Sequence, residues 1–333
     1  MARLVIRLLG SLQASLDGEL IDGFHSDKVR ALLTYLCVEG ERPHRRERLS
    51  GLLWPDLPER SARTNLRHAL ANLRQVIGDR TSSGDRRATP AFLLITRQTI
   101  QFNGESDAWV DARALASVLQ ATQRPISQLE DAVDWYRGEF LEGFSLPDSS
   151  IFEEWLLLQR ERFQRLALDA LRRLAESYTT RGEYERALAY AWRQVDLDPL
   201  REKAQRQLMR LLSYSDRASE ALAQYETCRR ILGEELGAEP STETTDLCEQ
   251  IRDGMLQAPP PSLPPGPTHN LPAALTLFVG RETEIAETQA LLRDPACRLL
   301  TLVGPGGIGK SRLAQEVGKR QLDHYGHGVY LVS

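Results

Sequence analysis

The chain has 333 residues, 41% hydrophobic and 26% charged, with 42 Lys+Arg against 46 Asp+Glu for a net charge of −4. This length suits two or three domains, and the balance excludes a low-complexity or strongly charged disordered chain. No apolar run approaches the roughly 20 residues a membrane helix needs, and the alternating N-terminus lacks a signal-peptide core, so a cytoplasmic protein without membrane partners is expected.

The four cysteines never form a C-x-x-C pair, and the close pair His324 and His327 has no carboxylate or cysteine placed to complete a site. Neither a disulfide framework nor a catalytic metal is implied. The charge is unevenly spread: residues 1–105 hold 16 Lys+Arg against 12 Asp+Glu, or +4, which leaves −8 for the remainder. The basic end points to nucleic acid, although a mildly basic surface serves solubility as well.

In chain order, residues 3–21 alternate like strands around Asp17-Gly18, a strong hairpin signal. Val29, Leu32, Leu33 and Leu36 then fall at helical spacing, with Gly40 where a C-cap would use it. A shorter helix carries Leu49, Leu52 and Leu53 and is stopped by Trp54-Pro55. The third helix is expected from Asp56, with Pro58 in its first turn and Glu59 at the capping-box position, to Gly78. Its apolar stripe is Leu66, Leu70, Leu73 and Ile77. At 100° per residue this leaves Thr64, His68, Ala71 and Gln75 opposite, flanked by Asn65, Arg67 and Asn72.

No acid occurs between Glu59 and Asp79. Short polar side chains and arginines without interleaved acids suit a helix that reads base edges in a major groove, and Arg63, Thr64, Asn65, Arg67, His68, Asn72 and Gln75 are the candidate DNA contacts. A basic loop with Arg80, Arg86 and Arg87 leads to two short strands around Arg97-Gln98. These elements make a winged helix. Arg97 at the hairpin tip is placed to reach a minor groove, or is a solvated turn arginine.

From about Asp107 to Met255 the pattern is helical throughout. Leu174 and Leu208 are 34 apart, as are Ala187 and Ala221, the period of tetratricopeptide helix pairs, and Asp198-Pro199 marks a break between units. Residues 258–272 contain seven prolines and read as a semi-rigid spacer. Beyond it, the apolar stretch RLLTLV, the loop GPGGIGKS, the helix SRLAQEVGKRQL and the stretch GVYLVS are expected as strand, phosphate loop, helix and strand. Gly304, Pro305, Gly306, Gly307, Ile308, Gly309, Lys310 and Ser311 fit G-x-x-x-x-G-K-[ST] at every fixed position. In that pattern backbone N–H groups surround phosphates, Lys310 meets the outer ones and the Ser311 hydroxyl faces Mg²⁺, so ATP or ADP with Mg²⁺ is the expected ligand. No acid on a following strand is present to hold Mg²⁺ and orient water. The chain therefore reads as no enzyme as it stands, cut inside a domain that a longer parent would complete.

The segment LLWPDLPERSARTNLRHALANLRQVIG and the hairpin resemble the DNA-binding domain of the SARP-family regulators of actinobacteria, an OmpR/PhoB-type winged helix. ILGEELGAEPSTETTDLCEQI resembles the closing part of the bacterial transcriptional activator domain, and FVGRE with the phosphate loop resembles the opening of NB-ARC-like STAND ATPases in AfsR-type members. The resemblance implies a mainly α multidomain chain: a winged helix at 1–105, an all-α TPR-like domain at 106–256, a linker at 257–274 and the start of an α/β P-loop domain at 275–333. It also implies a transcriptional activator that dimerises on direct repeats in promoter DNA and recruits RNA polymerase holoenzyme through its sigma factor or alpha subunit. Trp54, Asp56 and Leu57 stand in the polymerase-contacting loop, or Trp54 and Leu57 simply close the core. Two readings compete, a remodelling ATPase whose winged helix binds protein and a scaffold built on the helical repeats; both expect only weak, salt-erased DNA binding.

Overall fold

The Asp17-Gly18 turn forms with φ of 52° and 91°, both left-handed, and joins β2 (Gln13–Leu16) to β3 (Glu19–Leu20). β1 (Leu4–Arg7) pairs antiparallel with β2, so Leu4, Ile6 and Ala14 turn to one buried face. In the computed structural model the described residues are 3–79, 91–120, 125–260, 270–272, 280–294, 297–306, 308–322, 325 and 328–332. Met1–Pro260 and Pro261–Ser333 form two units. The chain is mainly helical.

In the first unit α1 (Asp27–Val38), β4 (His44–Arg45), α2 (Arg46–Leu53) and α3 (Glu59–Val76) follow, then the hairpin β5 (Leu93–Ile95) and β6 (Thr99–Phe102). β4 pairs with β6, which seats the hairpin against α2. Gly40 is not a left-handed cap. A Cβ there would stand 3.2 Å from Cβ of Phe102, so the glycine serves a close approach.

α3 differs from expectation at both edges. It starts at Glu59, with Pro58 in extended geometry before it, and neither Asp56 nor Glu59 caps it. Glu59 pairs with Arg63 instead, at 2.6 Å. Asn72, expected on the DNA-facing flank, is 6% exposed. Its Oδ1 accepts from the backbone N–H of His25 at 3.0 Å and its Nδ2 donates to the carbonyl of Gly23 at 3.2 Å. Helical spacing detects one buried stripe, whereas the chain between β3 and α1 covers a second flank of α3.

The first sheet has a fourth strand that the sequence pattern does not signal, because Ala108-Trp109-Val110 is short and lies in a helix-rich region. This β7 (Ala108–Val110) runs parallel to β1, two residues past the expected domain boundary, and gives the order β3-β2-β1-β7. Asp111 follows directly and begins α4 (Asp111–Gln120). Its carboxylate is 1% exposed and accepts the backbone N–H groups of Leu8 at 2.8 Å, Leu9 at 3.1 Å and Ala112 at 2.7 Å, with Arg137 at 3.4 Å. Burial pushes this carboxyl above the usual range, while the three N–H donors and Arg137 pull against it.

The remaining helices are α5 (Ile126–Trp135), α6 (Ser150–Thr180), α7 (Tyr184–Leu197), α8 (Glu202–Tyr214), α9 (Ala218–Leu236) and α10 (Thr242–Arg252). From α6 onward each packs on the next. Leu174, Leu208, Ala187 and Ala221 are all 0% exposed at these packing faces. One continuous core runs from Leu4 to Ile251, so the winged helix and the helical segment share it.

In the second unit α11 (Glu282–Arg293) and α12 (Lys310–Arg320) meet through Ile285, Leu313 and Val317. The expected strands in RLLTLV and GVYLVS are absent among the described residues. Leu299 is 85% and Val303 90% exposed, and among the described residues no strand pairs with this stretch to bury its apolar faces.

Asn72→Ala removes both hydrogen bonds of a buried amide, each contributing about 0.5–1.5 kcal/mol, and is expected to cost about 1–3 kcal/mol in denaturant unfolding. The exposed His68→Ala should stay within about 0.5 kcal/mol. Equal stability of the two variants would place Asn72 on the surface after all.

Candidate nucleic-acid interface

The exposed face of α3 is defined by what lies beneath it. Leu66, Leu70, Leu73 and Ile77 are buried to 5% exposure or less, which fixes the helix about its axis. Arg63, Thr64, Arg67, His68, Ala71 and Gln75 consequently face outward, with Asn65 half-buried at the edge.

The outward residues are not equally free. Arg63 pairs with Glu47 at 2.9 Å and Glu59 at 2.6 Å, and the Thr64 hydroxyl donates to the carbonyl of Arg60 at 3.0 Å. Arg67, His68 and Gln75 have no side-chain hydrogen bond or ion pair among the described residues. The face thus presents uncommitted donors, and its only carboxylates, at its N-terminal edge, are already paired.

Arg97 lies at the exposed tip of the β5–β6 hairpin. The Thr96 hydroxyl accepts the N–H groups of Gln98 at 3.1 Å and Thr99 at 2.8 Å, closing the turn tightly. Arg46, at the start of α2, donates to the Thr96 carbonyl at 3.0 Å, and exposed Arg45 pairs by its backbone with Thr99. Both arginines went unnoticed as site residues. The run His44-Arg45-Arg46 carried the signal, but only the β4–β6 pairing brings it to the wing. Arg80, Arg86 and Arg87 lie outside the described residues.

The 54–58 loop divides. Trp54 packs partly into the core with the Lys28 ammonium 5.9 Å from its ring centroid, while Asp56 is exposed and Leu57 is 41% exposed. Trp54 therefore closes the core, and Leu57 is the apolar side chain that the loop offers outward.

In the phosphate loop Gly304, Pro305, Gly306, Ile308 and Gly309 are exposed, and Gly307 lies outside the described residues. Gly309 has φ 88° and directly precedes α12. Lys310 Nζ donates to the carbonyls of Gly304 at 2.8 Å and Pro305 at 2.9 Å, and Ser311 stands exposed on the first turn. A left-handed glycine, a helix N-terminus and an ammonium folded over the loop fit a phosphate group. Among the described residues no group of histidine, cysteine or carboxylate side chains could hold a metal ion, and no helix is long and apolar enough to cross a membrane.

Residues 107–252 match the family model "Bacterial transcriptional activator domain". The regulatory protein AfsR of Streptomyces griseus is 28% identical over 98% of this chain, and that of Streptomyces coelicolor 26% identical over 94%. The chain spans 33% and 32% of their respective lengths. The transcriptional regulatory protein EmbR of Mycobacterium tuberculosis is 29% identical over 75% of this chain and 63% of its own. A solved structure of Mycobacterium tuberculosis EmbR, in complex with a low-affinity phosphopeptide, superposes with a TM-score of 0.58 at 25% identity, covering 76% of this chain and 65% of that one. The matched domain follows a winged helix on the same core, and these relatives align across that junction, so the chain carries a bacterial transcriptional activator domain and is similar to SARP-type transcriptional regulators on both sides of it.

Proposed function

We propose that this chain activates transcription by reading direct repeats in promoter DNA. α3 lies in the major groove, Arg97 reaches the neighbouring minor groove, and the helical domain joins two copies on DNA. The observation that carries this reading is the outward face of α3, where Arg67, His68 and Gln75 stand uncommitted and no acid intervenes from residue 60 to 78. Arg67 and His68 read bases; Arg45, Arg46 and Arg63 hold phosphates.

Leu57 and Asp56 form the surface that meets RNA polymerase holoenzyme, at its sigma factor or alpha subunit. Gly304 to Ser311 hold the phosphates of ATP or ADP: loop N–H groups and Lys310 take the phosphate charge, and Ser311 is the protein's ligand to the nucleotide's Mg²⁺. Such a site serves as a switch in the cytoplasm. The relatives' names and the loop's agreement with the pattern at every fixed position support this reading.

Arg67→Ala or His68→Ala should weaken binding of the full chain to its promoter site by about 1–3 kcal/mol in a mobility-shift titration. Loss confined to the cognate site marks base readout, equal loss on random DNA marks a phosphate contact, and no loss on either sinks the reading.

Leu57→Ala should lower transcription in a reconstituted assay while operator affinity and melting temperature stay within error. A parallel fall of all three would make Leu57 a packing residue.

Lys310→Ala should remove binding of a fluorescent ATP analogue without changing the DNA titration. Retained nucleotide binding would dissociate the loop from that role.

A further inference from the structure

A cleft of about 350 Å³ opens where the end of α1, β6, β7, α4 and α6 meet. Its volume falls within the range of small-molecule sites. The walls mix polar and apolar surface, with Val38, Phe102, Trp109 and Phe163 supplying an apolar side. Two guanidinium groups enter it from opposite elements. Arg113 of α4 lies over the ring of Phe102, 5.7 Å from its centroid, and Arg162 of α6 lies over Phe163 at 5.3 Å.

The position of Arg113 is built. A Cβ on Gly40 would stand 3.4 Å from its Nη1, and one on Gly104 3.3 Å from its Nη2, so two residues without side chains leave room for the guanidinium. Stacked on an aromatic face and flanked in this way, it is pre-organised.

Yet among the described residues Arg113, half-buried, donates no side-chain hydrogen bond and forms no ion pair. Arg162 donates only to Gln159 Oε1, at 3.2 Å. Other shielded arginines of the same unit are satisfied: Arg160 donates to the carbonyls of Phe140, Leu141 and Phe144, and Arg206 pairs with Glu243 at 2.6 Å. A half-buried fork of five donors that meets no protein acceptor is left to water and is available to an acceptor arriving from outside. Glu41, exposed at the rim, is the one carboxylate lining the cleft.

We propose that this cleft binds a small organic anion, a carboxylate on an apolar body. The carboxylate takes the forks of Arg113 and Arg162, and the body lies against Trp109 and Val38. Such a ligand touches β6, the wing strand, and α6, the long helix, at once. It would tie the DNA-reading elements to the helical segment, so the site is suited to an effector. The inference rests on the cleft alone and stands whether or not α3 reads DNA.

Benzoate serves as the probe on the full chain, followed by thermal unfolding and by Trp109 emission against a Trp109→Phe control. It should raise the melting temperature in proportion to its concentration, as a ligand of the native state must. Arg113→Met, which keeps the apolar stem, should fold normally and bind benzoate at least about tenfold more weakly, the loss expected for charge-assisted hydrogen bonds. Arg162→Met repeats the test should that variant unfold. Glu41→Gln should tighten binding by removing a like charge. Inorganic phosphate, lacking an apolar body, and benzyl alcohol, lacking charge, should each shift the melting temperature far less. The proposal is overturned if benzoate gives no shift at millimolar concentration, if either Met variant binds it as well as the parent chain does, or if phosphate or benzyl alcohol matches it.

Discussion

The buried carboxylate of Asp111 fastens the two halves of the first unit. It takes up the N–H groups of Leu8 and Leu9 just where β1 ends, and that of Ala112 where α4 begins. Deleting it would leave those buried donors unpaired and Arg137 without its partner. The same stretch is pinned again by bridges from Leu9 and Gly10 to Phe140. Farther along, the Ser149 hydroxyl at the head of α6 donates to the carbonyl of Leu52 at the end of α2, and Trp155 Nε1 donates to Glu39 at 3.0 Å. The winged helix is therefore not a bead on a string, and whatever orients the helical segment orients α3.

Sequence reasoning succeeded where one local cause sufficed. Asp17-Gly18 needs two left-handed residues and gets them, and Trp54-Pro55 ends α2 because the residue before proline leaves helical space. The stripe through Leu66, Leu70, Leu73 and Ile77 needs only helical period and an apolar core. The repeat positions Leu174 and Leu208 behave likewise, since each helix pair buries its face on the next.

It failed where a second segment decides. Asn72 stands well off the stripe by angle, yet the Gly23–His25 stretch covers that side and satisfies its amide at both ends. β7 is three residues long and exists only because β1 offers it an edge. Arg45 and Arg46 become neighbours of the wing through the pairing of β4 with β6. In the second unit the motif of the phosphate loop is legible residue by residue, but the strands meant to flank it depend on pairing partners, and propensity alone does not make a sheet.

Charge on the α3 face follows a similar order of dependence. Screening at physiological salt acts over about 8 Å, so the net charge of −4 matters less to an approaching phosphate than the side chains beside it. At the N-terminal edge Arg63 sits between Glu47 and Glu59, a cluster of net charge −1. Exposed pairs of this type contribute only about 0–1 kcal/mol, so exchanging either carboxylate for a phosphate is inexpensive. Arg67 and Arg97 need no such exchange, since among the described residues neither forms a side-chain hydrogen bond or ion pair. On the proposed reading the free arginines set the initial register of an incoming duplex, and Arg63 joins only after releasing an acid, which would make its contribution the more sensitive to how close the backbone comes.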